Sequence, residues 1–160
     1  MKDKEVLKIV KGEVDELIKL LLVDCDYDVE IEDGEEEMKI IKVNIEGEDL
    51  GYMIGNHGRH LDSLQYVLSL ALRKKFEEDY KFMLMVDVSG YRQERISKVE
   101  EIAMRKADDA RLLGDYVDME PMKPSDRRIV HMTLQKFEDI TTESQGEGRD
   151  RYVRIIPTNS

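Results

Sequence analysis

GYMIGNHGRHLDSLQYVLSLAL, residues 51–72, is the stretch on which the reading of this 160-residue chain turns. Two glycines, Gly55 and Gly58, bracket Asn56 and His57, and an amphipathic pattern begins immediately after them. Glycine contributes no side-chain contact and loses more freedom on folding than any other residue, so a pair of them where a helix starts needs a cause. Two causes are open. The pair caps and turns the chain between two helices, or it lets another backbone approach closely. In the second case the first amides of the following helix lack partners within it, and the helix dipole adds partial positive charge, so the two together form a seat for phosphate. A nucleotide-binding P-loop is disfavoured because G-x-x-x-x-G-K-[ST] is absent.

Working outward, apolar residues recur at Val6, Ile9, Val10, Val14, Leu17, Ile18, Leu21 and Leu22, a helical stripe over about Lys4 to Val23. In YDVEIEDGEEEMKIIKVNIEG, Tyr27, Val29 and Ile31 alternate with acids, and a second extended run follows Gly34. This predicts a β-hairpin with Glu35, Glu36 and Glu37 at a solvated turn. EDLGYMIG suits a short helix, Arg59 to about Phe76 a long one, and KFMLMVDVS a strand, closing a first domain at residues 1–89. The second domain, 90–160, opens with a helix from Tyr91 to about Leu113 that Gly114 stops. DYVDMEPM suits a short strand. KPSDRRIVHMTLQKF reads as a helix, with Pro124 in its first turn and Ser125 or Asp126 as the cap. ITTESQ and RYVRIIP read as strands joined by GEGRD.

The formal net charge of −11 argues at first against a polyanionic partner. Its distribution weakens that argument. Residues 1–49 hold 17 acids and 7 bases, or −10, whereas residues 50–160 hold 19 acids and 18 bases, or −1. The body that contains the glycine pair is near neutral. The longest apolar run, FMLMV, is far too short to span a bilayer, so no membrane insertion is expected and a cytoplasmic location is the default. The single Cys25 cannot form an internal disulfide and is expected to be a packed thiol.

Two strands, a short helix, Ile54 directly before the GxxG, a long amphipathic helix and a strand follow one another in an order that resembles a type II KH domain (α-β-β-α-α-β). In KH domains such a loop clamps the backbone of about four unpaired nucleotides. Further on, RRIVH places Arg127 and His131 four residues apart on one helix face, where an arginine can hold phosphate and an imidazole can stack on a base. The same pattern suits a half-buried His131 that holds the final strands. With TTESQGEGRDRYVRIIP after it, this part resembles the small R-three-H nucleic-acid-binding domain. The whole is an α+β chain. Through IGNHGRHLDSLQYVLSLAL, DVSGYRQERI, PMKPSDRRIVHMTLQ and TTESQGEGRDRYVRI it resembles the Jag (SpoIIIJ-associated, or KhpB) family, over roughly residues 3–157.

The resemblance implies a cytoplasmic RNA-binding factor in regulation of cell shape and division, with a second small KH protein as partner. The candidate RNA-binding residues are Gly55, Asn56, His57, Gly58, Arg59, His60, Arg127, Arg128 and His131. Many Jag proteins carry a separate N-terminal domain and charged linker, and this chain is expected to lack them. KH loops usually place Lys or Arg between the glycines; Asn56 and His57 stand there instead, so weaker RNA affinity is expected from the KH half. Arg149, Arg151 and Arg154 are candidates for a basic rim or for partners of Glu143 and Glu147. No cofactor motif, ligand-spaced metal set or nucleophile–base pair is legible, so an enzyme using His57, His60 and Asp62 or His131 is disfavoured. The competing function is a protein-binding adaptor with a degenerate KH loop, motivated by the acidic first third. A homodimer through the N-terminal helix is compatible with either.

Overall fold

The first apolar stripe folds as helix α1, Asp3–Leu21, and buries Val6, Val10 and Val14 one turn apart. Leu22, the expected last member of that stripe, is not helical. It takes the left-handed conformation (φ 54°, ψ 41°), donates its amide to the Lys19 carbonyl and stands 92% exposed. A leucine at positive φ is uncommon, and it ends the helix where the chain turns into the sheet. The computed structural model describes residues 1–158, which fall into two compact units, Met1–Arg92 and Gln93 onward.

In the first unit the alternating runs form β1, Asp26–Asp33, and β2, Lys39–Glu46, an antiparallel hairpin with Val29 opposite Val43 and Ile31 opposite Ile41. A 3-10 turn over Glu35–Glu37 joins them. Strand β3, Phe82–Val88, pairs parallel to β2, which gives the order β1-β2-β3. A parallel neighbour needs a crossover. Here helices α2, Gly51–Ile54, and α3, Arg59–Lys75, supply it. The run FMLMV looks uniformly apolar in sequence, but the strand alternates: Phe82, Leu84, Val86 and Val88 are buried, while Met83 and Met85 are exposed on the far face. Ile41, Ile45, Leu61 and Leu72 lie in the core between sheet and helices. Burying each such side chain contributes about 1.5–3 kcal/mol.

The second unit builds a separate core. Helix α4, Tyr91–Leu113, presents Val99, Ala103, Ala107 and Ala110 as one narrow stripe. Helix α5, Pro124–Leu134, adds Val130 and Leu134. Strands β4, Val117–Asp118, β5, Ile140–Gln145, and β6, Tyr152–Pro157, form a sheet in the order β4-β6-β5. Both partners of β6 run antiparallel to it. The architecture is α+β in both units.

The expected cap of α5 is corrected by the structure. Neither Ser125 nor Asp126 caps it; Lys123 occupies the N-cap position, and its side chain does not cap the helix amides. Asp126 turns inward instead and is 2% exposed. Its Oδ2 accepts from Arg95 Nη2 at 2.8 Å and Nε at 3.2 Å, so a carboxylate from α5 is neutralised by a guanidinium from α4. Removing one partner strands a desolvated charge. Asp126→Ala should therefore lower the stability of the second unit by about 3–5 kcal/mol, whereas Glu32→Ala, which breaks the surface pair with Lys42, should cost at most about 1 kcal/mol. Chemical denaturation of both variants checks the contrast.

Candidate nucleic-acid interface

The glycine turn between α2 and α3 is held by its own backbone and by one ring. Gly55 lies at φ 69°, ψ −169°, a region essentially confined to glycine, and Gly58 lies in the left-handed region at φ 80°, ψ 14°. Between them residues 56–58 make a 3-10 turn in which His57 also has positive φ, 55°. A Cβ on Gly55 would sit 2.4 Å from Cγ and 2.6 Å from Nδ1 of His60. The bare α-carbon thus makes room for that imidazole, which also bonds the Tyr52 carbonyl through Nδ1 at 2.8 Å. His60 locks the end of α2 to the start of α3 across the glycine.

The turn also satisfies part of itself. Gly58 N–H reaches the Gly55 carbonyl at 3.4 Å, and Arg59 N–H bonds the Asn56 carbonyl. Two of the amides expected to await an external acceptor are therefore already engaged. Gly58 is buried, while Asn56, His57 and Arg59 are exposed at the corner where the 17-residue α3 begins. The structure brings these three together at the dipole's positive end and places His60 behind them as the support.

Aromatic and guanidinium groups that sequence reasoning passed over flank this corner. Tyr66, 66% exposed, lies two turns along α3 on the side of Arg59, and Tyr52, 54% exposed, precedes the turn on α2. A cleft of about 300 Å³ lined by Leu21, Tyr52, Met53, His60, Ser63, Leu64 and Val67 opens beside it. On the other flank stands Arg92. Its Nε donates to the Val86 carbonyl at 2.7 Å, Nη1 to Asp62 at 3.0 Å and Nη2 to Gln65 Oε1 at 3.0 Å. Gln65 Oε1 also accepts the Val86 amide at 2.9 Å. No local signal in SGYRQ announces this cluster, because its partners lie 27 and 30 residues upstream.

In the second unit the face of α5 that carries Arg127 and His131 meets β5. His131 Nδ1 lies 2.6 Å from Thr142 Oγ1 and Nε2 lies 3.0 Å from Ser144 Oγ. The imidazole thus ties helix to strand, as the half-buried alternative expects. Burial, with the Arg127 charge second, pushes the His131 pKa below the ordinary imidazole value, so the ring is neutral at pH 7. Neutral imidazole donates once and accepts once, and each hydroxyl can do either. Ser144 and His131 have the reach of a nucleophile and its base. The third group, however, is the neutral hydroxyl of Thr142, and the lowered pKa makes the imidazole a poor proton acceptor. Arg127 Nη1 donates to the Met122 carbonyl at 2.9 Å, and Arg128 is exposed. Arg154 is paired with Asp118 at 2.7 Å and lies 3.9 Å over the Tyr116 ring, rather than balancing Glu143 or Glu147. Arg149 and Arg151 are exposed. Burial and the flanking Asp24 and Asp26 push the Cys25 thiol up, which keeps it protonated.

The glycine corner on one unit and the Arg127–His131 face on the other define a two-module chain, a KH domain followed by an R-three-H domain. Residues 11–84 match the KhpA/KhpB KH domain, and residues 94–157 match the R-three-H domain. The chain is 38% identical over 130 residues to the RNA-binding protein KhpB of Clostridium symbiosum, covering 81% of this chain and 56% of that protein. It is 32% identical over 123 residues to the RNA-binding protein KhpB of Bacillus subtilis (strain 168), covering 76% and 58%. It is 24% identical over 146 residues to the RNA-binding protein KhpB of Streptococcus pneumoniae serotype 2 (strain D39), covering 91% and 44%. It belongs to the KhpB family, and it spans about half the length of the curated relatives it matches.

The loop's dependence on Gly55 is open to a double-mutant cycle. Gly55→Ala should destabilise the first unit by at least about 1–3 kcal/mol for the backbone alone, with a further steric cost against His60. Adding His60→Ala should recover the steric part and leave the backbone part, which urea denaturation of the four proteins measures.

Proposed function

We propose that this chain is a non-catalytic regulatory protein that binds single-stranded RNA. One module grips through Gly55, Asn56, His57, Gly58, Arg59 and His60, and the other through Arg127, Arg128 and His131. The observation that carries the reading is the glycine corner. Its shape is set from within by Gly55 and His60, and it holds Asn56, His57 and Arg59 exposed at the positive end of a long helix. The names of the relatives support the same reading. Roles within the site divide by chemistry. Asn56 and the loop backbone meet phosphate, Arg59 supplies charge, and Tyr52 and Tyr66 offer faces on which unpaired bases stack. With its two nitrogens bonded to β5, His131 presents the imidazole as a plate, while Arg127 and Arg128 supply charge.

Among the described residues no helix is long and apolar enough to cross a membrane. The cytoplasm is the compartment proposed, and regulation of cell shape and division the process. One observation favours a protein partner in addition: Val67 and Leu70 are exposed together on α3. A second small KH protein, or a second copy of this chain, is proposed for it.

Fluorescence anisotropy with an unstructured RNA tests the assignment. Arg59→Glu and Gly58→Asp should each weaken binding about tenfold or more, with a salt dependence shallower than that of the parent chain. Arg127→Ala should weaken it several-fold, on the order of one lost charge-assisted bond. Affinity unchanged in all three, with native melting curves, rejects the site.

A further inference from the structure

Strand β3 is an edge strand, paired only to β2. Edge strands present a row of N–H and C=O groups that template pairing with whatever lies alongside. Beside β3 runs α3, whose first residue, Arg59, ends the glycine corner; Asp62 and Gln65 follow in its first two turns. Gln65 of α3 reaches the Val86 amide, so a nucleotide strand that is held at the corner and lies along α3 on this side passes the middle of β3. In that position the backbone of an edge strand can donate to and accept from base edges.

In this chain that position is already filled. The Val86 amide goes to Gln65 at 2.9 Å and the Val86 carbonyl to Arg92 Nε at 2.7 Å. The two capping side chains are joined to one another at 3.0 Å, and Arg92 is joined to Asp62 at 3.0 Å. Two residues on, the Val88 amide bonds the Asp87 carboxylate at 2.9 Å, and the same oxygen takes the Arg92 amide at 3.1 Å. To reach Val86, a base must displace a guanidinium with three partners and a carboxamide with two. Each bond lost without replacement inside a partly buried cluster is unfavourable.

We infer that Gln65 and Arg92 close the base-reading edge of the KH half, so that this module takes RNA by its phosphates and stacked faces with little discrimination among bases. The two residues set specificity by exclusion. The inference rests on the proposed RNA binding at the glycine corner and adds to it the substrate class of that site: unpaired RNA of unrestricted sequence.

The experiment uses the full chain with uridine, adenosine and cytidine oligomers of about ten nucleotides. Their affinities should agree within roughly threefold, as for stacking and phosphate contacts alone. Opening the edge with Gln65→Ala and Arg92→Ala together should spread them to about tenfold or more, because base edges gain backbone partners that differ among bases. The Val86 amide resonance of the parent chain gives an independent reading should that double variant unfold. At saturating oligomer the amides of residues 56–59 should shift and the Val86 amide should not. A Val86 amide that shifts or gains exchange protection with RNA overturns the inference. So does a parent chain that discriminates tenfold and loses this in the variant. Failure of every oligomer to bind overturns the RNA reading itself, and this inference with it.

Discussion

A single steric relation, the His60 ring against the bare α-carbon of Gly55, governs the first unit. The β2-to-β3 connection must cross over the sheet, and it does so by stopping one helix and starting another within four residues. Backbone dihedrals of φ 69°, ψ −169° achieve the reversal, and only glycine holds them without strain. The ring that fills the vacated space also bonds the Tyr52 carbonyl, so the corner is held from within by its own residues. A corner that need not be ordered on binding loses less entropy when it binds. This offsets part of what is missing from a GxxG that carries asparagine and histidine where lysine or arginine would supply charge.

The second constraint comes from two arginines in one short stretch, GYRQER. Arg92 turns to the first unit and ties Val86, Asp62 and Gln65; Arg95 belongs to the second and neutralises the buried Asp126. Neither is available to a polyanion as a simple surface cation. The near balance of charge after residue 49 therefore overstates the positive potential on offer. Arg154 (held by Asp118) and Arg111 (held by Asp108 and Asp139) reduce it further. Arg59 at the glycine corner, and Arg128, Arg149 and Arg151 in the second unit, remain exposed.

The order of elements was legible because periodicity survives burial on one side. α1, the β1–β2 hairpin, α3, α4 and the last two strands all carry a 3.6- or 2-residue pattern. What was not legible depends on partners distant in sequence. The stripe of α1 runs on into Leu22, and only the turn into the sheet shows that this residue leaves the helix. Asp126 has the residue type and position of a helix cap, yet a guanidinium 31 residues earlier draws it inward. His60 and His131 both had the composition of ligand contacts. One supports a glycine and the other bonds two hydroxyls on a strand, and these roles follow from packing rather than spacing. The exposed Tyr66 was hidden in an amphipathic helix pattern that reads it simply as one more solvent-side residue.

Photo-crosslinking of the intact chain to a single-stranded RNA, with the adducts located by mass spectrometry, tests the central claim most directly. A corner shaped by Gly55 and His60 that receives RNA predicts adducts in the segment from Tyr52 to Tyr66, and a second set in the segment around Arg127 and His131. Adducts confined to the acidic hairpin or to α1, with both segments unmodified, would contradict it.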